Sequence, residues 1–209
     1  VTGRAIYGAD MKLPGLIWAV CVRSPHAHAN VKSIDTSAAE AMDGVFAVIT
    51  RDDMPKAESK LVDLGEGNIN FKWASNKLMA DKKVLYKGHP VAAIAAVDRY
   101  TAEEAARLVK VEYDVLKSIT NVVDALKPDA PILLPDLIGD DLGEDVTNTN
   151  MAAHVRHEFG DVEGAFASAA HTIEREYNMQ MVHQGYIEPH NATATWDEEG
   201  RIKVWTSTQ

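Results

Sequence analysis

Val91-Ala-Ala-Ile-Ala-Ala-Val97 is apolar at every position, and no other stretch limits the possible folds as tightly. A strand that shows one face to water alternates, whereas one apolar throughout needs cover on both faces. Thr101-Ala-Glu-Glu104 follows with the spacing of a capping box. It predicts a helix over Ala102 to Lys110 with Ala105, Leu108 and Val109 on one stripe. That helix runs straight into Val111-Glu-Tyr-Asp-Val-Leu116, an alternating strand. Strand, helix and strand within Val91–Leu116 predict an α+β fold with helices gathered on one face of a sheet.

The flanking sequence extends this pattern. Gly15 to Arg23 is a continuous apolar run rich in β-formers and predicts a buried strand, and Val45 to Thr50 predicts another; between them Asn30 to Asp35 has Val31 and Ile34 apolar. Ser37-Ala-Ala-Glu40 has capping-box spacing and predicts a short helix stopped at Asp43-Gly44. Arg51 to Lys77 holds Pro55, Gly65 and Gly67 without a sustained period, and reads as a long loop. Lys83 to Tyr86 restores order ahead of a turn at Lys87-Gly88-His89-Pro90. Lys127 to Asn150, rich in proline, glycine and acids, has linker composition. The expected organisation is a domain over 1–126, a linker over 127–150 and the start of a second domain over 151–209. In that second part Gly160-Asp161 introduces a helix over Val162–Ala170, and His171 to Tyr177 alternates as a strand. A turn at Trp196-Asp-Glu-Glu-Gly200 joins two further strands, the second still alternating where the sequence reaches Ser207-Thr-Gln209.

Composition excludes several function classes. The 209 residues carry a net charge of −10 with no run of lysines or arginines, so a nucleic-acid or anionic-membrane surface is not expected. Cys21 is the only cysteine, which rules out an internal disulfide and a four-thiolate iron–sulfur cluster within these residues. No secretory signal or membrane span is read from the sequence, so a soluble, cytoplasmic protein is expected.

Candidate site residues are few. His26 and His28 share one face if the segment is extended, but ordinary hydrogen-bonded histidines at the turn after Pro25 are favoured over a zinc site. Glu188, within Glu188-Pro-His190 on a mostly apolar segment, needs a partner or a function, and an acid satisfied by backbone amides at a strand kink is favoured at least as much as a direct site role. Phe71 and Trp73, two apart in a polar and strand-like setting, would face the same way. The glycine patterns of dinucleotide and phosphate-loop sites are absent, as is a nucleophile elbow.

Four blocks carry a family resemblance. They are Val1-Thr-Gly-Arg-Ala-Ile-Tyr-Gly-Ala-Asp10; Val22-Arg-Ser-Pro-His-Ala-His-Ala29 with Gly44-Val-Phe-Ala-Val48; Val84-Leu-Tyr-Lys-Gly-His-Pro-Val-Ala-Ala93 with Val111-Glu-Tyr113; and Phe159-Gly-Asp-Val-Glu163 through His183–His190 to Trp205-Thr-Ser-Thr-Gln209. In this order they resemble the large subunit of the xanthine dehydrogenase and aldehyde oxidase family. The bacterial branch of hydroxybenzoyl-CoA reductase and carbon monoxide dehydrogenase is nearest. Where that family has a Leu-Pro pair after the strand at Tyr113, Leu116 is here followed by Lys117.

The resemblance implies an α/β-hammerhead domain followed by the beginning of a molybdopterin-binding α+β domain. The chain would be the front part of a molybdenum hydroxylase subunit that oxidises an aldehyde, aromatic or N-heterocyclic substrate. It implies a molybdenum cofactor, a molybdopterin in its cytosine dinucleotide form, contacted here by Gln209. FAD and 2Fe-2S clusters would lie on partner subunits or domains. No catalytic residue is expected here, because the family's catalytic glutamate lies downstream; no metal ligand is expected either, and the isolated chain should hold no molybdenum. Phe71 and Trp73 are candidates for the wall of the substrate funnel. The alternative is a non-catalytic hammerhead module serving assembly or interaction.

Overall fold

The computed structural model describes residues 2–65, 67–137 and 148–208. Close contacts divide the chain into two units, one over Ile17–His157 and one combining residues 1–16 with 158–209.

In the larger unit, β1 (Trp18–Arg23), β2 (Ala29–Asp35), α1 (Ser37–Glu40), β3 (Val45–Thr50), β4 (Leu61–Asp63), β5 (Asn68–Asn70), α2 (Phe71–Leu78), β6 (Lys83–Val84), β7 (Pro90–Ala96), α3 (Arg99–Leu108), β8 (Lys110–Val115) and α4 (Val122–Ala125) follow in order. The apolar run is the middle strand of an antiparallel sheet ordered β1-β7-β3, with Ile94 opposite both Val20 and Val48. Helices α1 and α3 cover one face, where Ile94, Ala39 and Ala105 are fully buried among Val22, Val45 and Val48. Alanines at 92, 96, 102 and 105 are all fully buried; side chains this small let the helix lie close to the strand. On the opposite face Val91 is buried with Ala29, Ala80 and Val84, while Ala93 and Ala95 are only half-covered. A second antiparallel sheet, β6-β2-β8, presents Val31, Ile34, Val111 and Tyr113 to that second cluster.

Several local expectations need correction. Helix α3 starts at Arg99, because the Asp98 carboxylate accepts the Thr101 N–H (2.8 Å) and caps the helix before Thr101 can. Ser37 does not cap α1: its hydroxyl donates to Asp35 Oδ1 (2.6 Å), Thr36 is the N-cap, and Thr36 Oγ1 donates to Glu40. Arg51–Lys77 is not a plain loop. It forms the β4–β5 hairpin, with Gly65 at φ +84° and Gly67 at φ +149°, and then α2, capped by the Asn70 side chain on Trp73 N–H. Three-residue strands are too short to show a period in sequence. The run from Gly15 forms a strand only from Trp18, and β1 and β3 are both sheet edges rather than buried strands, with Trp18 and Cys21 exposed on β1 and Phe46 and Ile49 on β3.

The stretch from residue 127 carries specific contacts. Asn150 accepts the Leu133 N–H and donates to the carbonyls of Ala125 and Pro131, Lys83 reaches Leu133 O, and Lys72 pairs with Asp136. In the smaller unit α5 (Val162–Ser168) is capped by Asp161, and β9 (Ala192–Trp196) pairs antiparallel with β10 (Ile202–Thr206) across the predicted turn at Asp197–Gly200. His171–Tyr177 forms no strand; Ile173 and Tyr177 are exposed, and among the described residues no strand pairs with them. A strand is stable only with a neighbour for its backbone N–H and C=O groups.

Candidate functional site

The end of the β9–β10 hairpin is tied to the segment before it. The Asn191 N–H donates to Ser207 Oγ (3.2 Å), and Asn191 O accepts from Ser207 N (3.4 Å) and Thr206 Oγ1 (3.1 Å). Ser207 Oγ and Asn191 Nδ2 both donate to Pro189 O. The Thr208 N–H reaches Thr206 Oγ1 at 3.4 Å. Pro189 has no N–H to donate and lies before the first paired residue of the hairpin, Ala192, so its carbonyl accepts from side chains rather than from a neighbouring strand.

Glu188 has the partner its position demanded. Its Oε1 accepts the backbone N–H of Gly8 at 3.0 Å, half-buried. Gly8 lies so close to Asn191 that an ideal Cβ would sit 2.0 Å from Asn191 Oδ1. That oxygen is buried without a hydrogen-bond partner among the described residues. Beside this knot His190 stacks on Tyr186 (4.4 Å between ring centres, 4° between planes), and His183 Nδ1 accepts the Gly185 N–H. Gln209 lies outside the described residues.

The other sequence candidates belong to the larger unit. His28 donates from Nδ1 to Lys117 O (2.7 Å), which leaves its buried Nε2 without a partner among the described residues, and His28 O accepts the Leu116 N–H. His28 therefore anchors the strand exit at the point where Leu116-Lys117 departs from the family pattern. His26 packs edge-on against Tyr113 at 5.0 Å. No group of three or more His, Cys, Asp or Glu among the described residues is placed to hold a metal ion. No described helix is long and apolar enough to cross a membrane.

Phe71 and Trp73 do not face the same way, because both lie in the first turn of α2, where two positions are about 200° apart. Phe71 lines a groove of 640 Å³ with Pro55, Ala57 and Leu78. Trp73 lines a different one of 380 Å³ with Leu133, Pro135 and Leu137, and Lys77 Nζ lies 3.6 Å from its ring centre. Burial lowers the Lys77 pKa.

His89 was read only as a turn residue, yet it is fully buried. Its Nδ1 accepts the Leu85 N–H (3.1 Å), so the proton sits on Nε2 and is donated to Asn76 O (2.7 Å). Burial, opposed by the Asn76 bond, lowers its pKa. The signal in sequence was the histidine before Pro90 at the head of an all-apolar strand. Gly8, Asn191 and Ser207 were also missed as a group, since nothing local links residue 8 to residue 191.

Comparison with known proteins supplies the context. The family model described as aldehyde oxidase and xanthine dehydrogenase, a/b hammerhead domain, matches residues 2–117. The molybdopterin cofactor-binding domain model matches residues 143–209. The carbon monoxide dehydrogenase large chain of Afipia carboxidovorans is 35% identical over 211 residues, covering 99% of this chain and 25% of the relative. Among solved structures, the reconstituted CO dehydrogenase from Oligotropha carboxidovorans superposes with a TM-score of 0.78 at 35% identity, over 98% of this chain and 25% of that one. Quinoline 2-oxidoreductase from Pseudomonas putida 86 gives 0.78 at 27% identity, over 100% and 25%. The chain thus spans about a quarter of the length of each. Thr206, Ser207 and Thr208 offer neutral hydroxyls and no carboxylate. The Thr206 and Ser207 hydroxyls are engaged on Asn191 O and Pro189 O, so what suits a cofactor rich in oxygen atoms is the lack of a carboxylate among these three residues. The chain belongs to the aldehyde oxidase and xanthine dehydrogenase family: a mixed α/β hammerhead region followed by the start of a molybdopterin-binding domain, related to the large subunits of the carbon monoxide dehydrogenase and xanthine dehydrogenase type.

Proposed function

We propose that this chain is part of the large subunit of a molybdenum hydroxylase that oxidises an aldehyde, aromatic or N-heterocyclic small molecule in the cytoplasm. One observation carries the reading: a match to enzymes of this class over essentially the whole chain, through both domain models in order. The hammerhead domain would extend over about residues 1–126 and the second domain would begin near 151. The cofactor, taken as the cytosine dinucleotide form of molybdopterin, supplies the redox chemistry when bound. Gln209 is the proposed contact from this chain. A neutral amide donor held in place stabilises charge on an oxygen without titrating. Phe71 and Trp73 are proposed to line the route to the site, each from its own groove. FAD and 2Fe-2S clusters on partner subunits would carry the electrons onward.

The test is to purify the parent enzyme with its partner chains and assay it with a panel of aldehydes and N-heteroaromatics, using a dye as electron acceptor. Turnover of at least one class, lost on Gln209→Ala, is expected. A parent that contains the partner chains and turns over none of them would overturn the reading in favour of a non-catalytic assembly module.

A further inference from the structure

We propose that Gly8, Glu188 and Asn191 form a clasp that sets the position of the end of β10, so that Glu188 and Asn191 act as positioning residues for the cofactor contact. The inference rests on the reading that the residue after Thr208 meets the molybdenum cofactor. The hydroxyls of Thr206 and Ser207 are both engaged within the protein, on Asn191 O and Pro189 O. Each therefore holds the strand rather than reaching outward. What they hold is Pro189–Asn191, and that segment is fixed in turn from the other end of the chain, by the Gly8 N–H on Glu188 Oε1 and by Gly8 beneath the Asn191 side chain.

Two features mark this as more than ordinary packing. Asn191 Oδ1 is buried without a donor among the described residues, an arrangement that costs stability and persists where something else requires it. Gly8 has an ordinary backbone conformation, since it is not among the positive-φ glycines. Its lack of a side chain therefore serves the close approach to Asn191. A small displacement of a contact group is enough to lower turnover severely. The clasp converts the hydrogen bond at Gly8 into the placement of β10 as far as Thr208.

The experiment uses the intact parent enzyme and four variants: Gly8→Ala, Glu188→Ala, Glu188→Gln and, as reference, Gln209→Ala. Molybdenum content, activity per bound molybdenum, melting temperature and the electron paramagnetic resonance signal of the molybdenum centre are measured. Gly8→Ala and Glu188→Ala should keep their molybdenum, lose about 10- to 100-fold in kcat with little change in KM, and alter the resonance signal as Gln209→Ala does. Glu188→Gln keeps an oxygen that can accept the Gly8 N–H and should restore both. If Gly8→Ala fails to fold, the two Glu188 variants carry the test. An unaltered signal and full activity per molybdenum in Glu188→Ala, with Gln209→Ala altered, would overturn the clasp; so would loss of melting temperature or molybdenum alone. If Gln209→Ala itself changes neither signal nor turnover, the cofactor-contact reading fails first, and this inference with it.

Discussion

His89 Nε2 lies 2.7 Å from the carbonyl oxygen of Asn76, while His89 Nδ1 takes the Leu85 N–H at 3.1 Å. One ring therefore joins the last turn of α2 to the approach to β7, and the two bonds are compatible only with the neutral imidazole.

The consequence is a pH dependence with a definite sign. Burial lowers the His89 pKa in the folded state, so the unfolded chain takes up a proton first. Stability should be complete above about pH 6.5, the ordinary histidine value, and should fall as the pH drops below it, since the unfolded state then binds more protons. Asp35 and Asp98, held below the usual carboxylate range by hydrogen bonds from Ser37 and Thr101 respectively, contribute only at much lower pH. Urea unfolding of the chain at pH 7.5 and about pH 5.5 should show the loss, and His89→Gln should remove most of the difference between the two.

The centre of β7 should dominate the larger unit's stability. Ile94 is fully buried between α3 and the sheet, so Ile94→Ala should cost about 3–4 kcal/mol. Phe46, 64% exposed on β3, should cost under about 1 kcal/mol when replaced by alanine. Denaturant midpoints of the two variants measure both, and equal losses would contradict the assignment of the core.

Asn150 and Lys72 separate two ways of holding the stretch after α4. Asn150→Ala removes three half-buried hydrogen bonds to Ala125, Pro131 and Leu133 and should cost about 2 kcal/mol. The Lys72–Asp136 pair is largely exposed, so Lys72→Met should change stability by less than about 1 kcal/mol. Thermal unfolding of both variants decides the order.

Phe71 and Trp73 should act independently if both line the substrate route, because they lie in separate grooves. Single alanine variants of the parent enzyme should shift KM or substrate preference with little change in melting temperature. A loss of about 3–5 kcal/mol with unchanged kinetics would place that residue in the core instead.

What could be read in advance followed from physical range. β3, β7 and β8 announce themselves through local hydrophobic pattern, and the turn at Asp197–Gly200 through its composition. The cap expected at Ser37 lies one residue earlier, at Thr36, and that expected at Thr101 three earlier, at Asp98, because Asp35 and Asp98 compete for the same groups and sequence spacing does not say which bond forms. The β4–β5 hairpin was missed because each strand has three residues. β1 and β3, expected to be buried, lie at the two edges of their sheet, because an apolar run does not reveal whether its strand is an edge. Glu188 was flagged as needing a partner, but the Gly8 N–H that satisfies it lies 180 positions away. Such a pairing leaves no local trace.

As part of the proposed enzyme, this chain should contribute to a molybdenum site. Elemental analysis of the parent large subunit, purified with its partner chains and with its intact mass verified, tests it most directly. Close to one molybdenum per large subunit is expected; a pure, folded parent with no molybdenum would contradict a part for this chain in a molybdenum site.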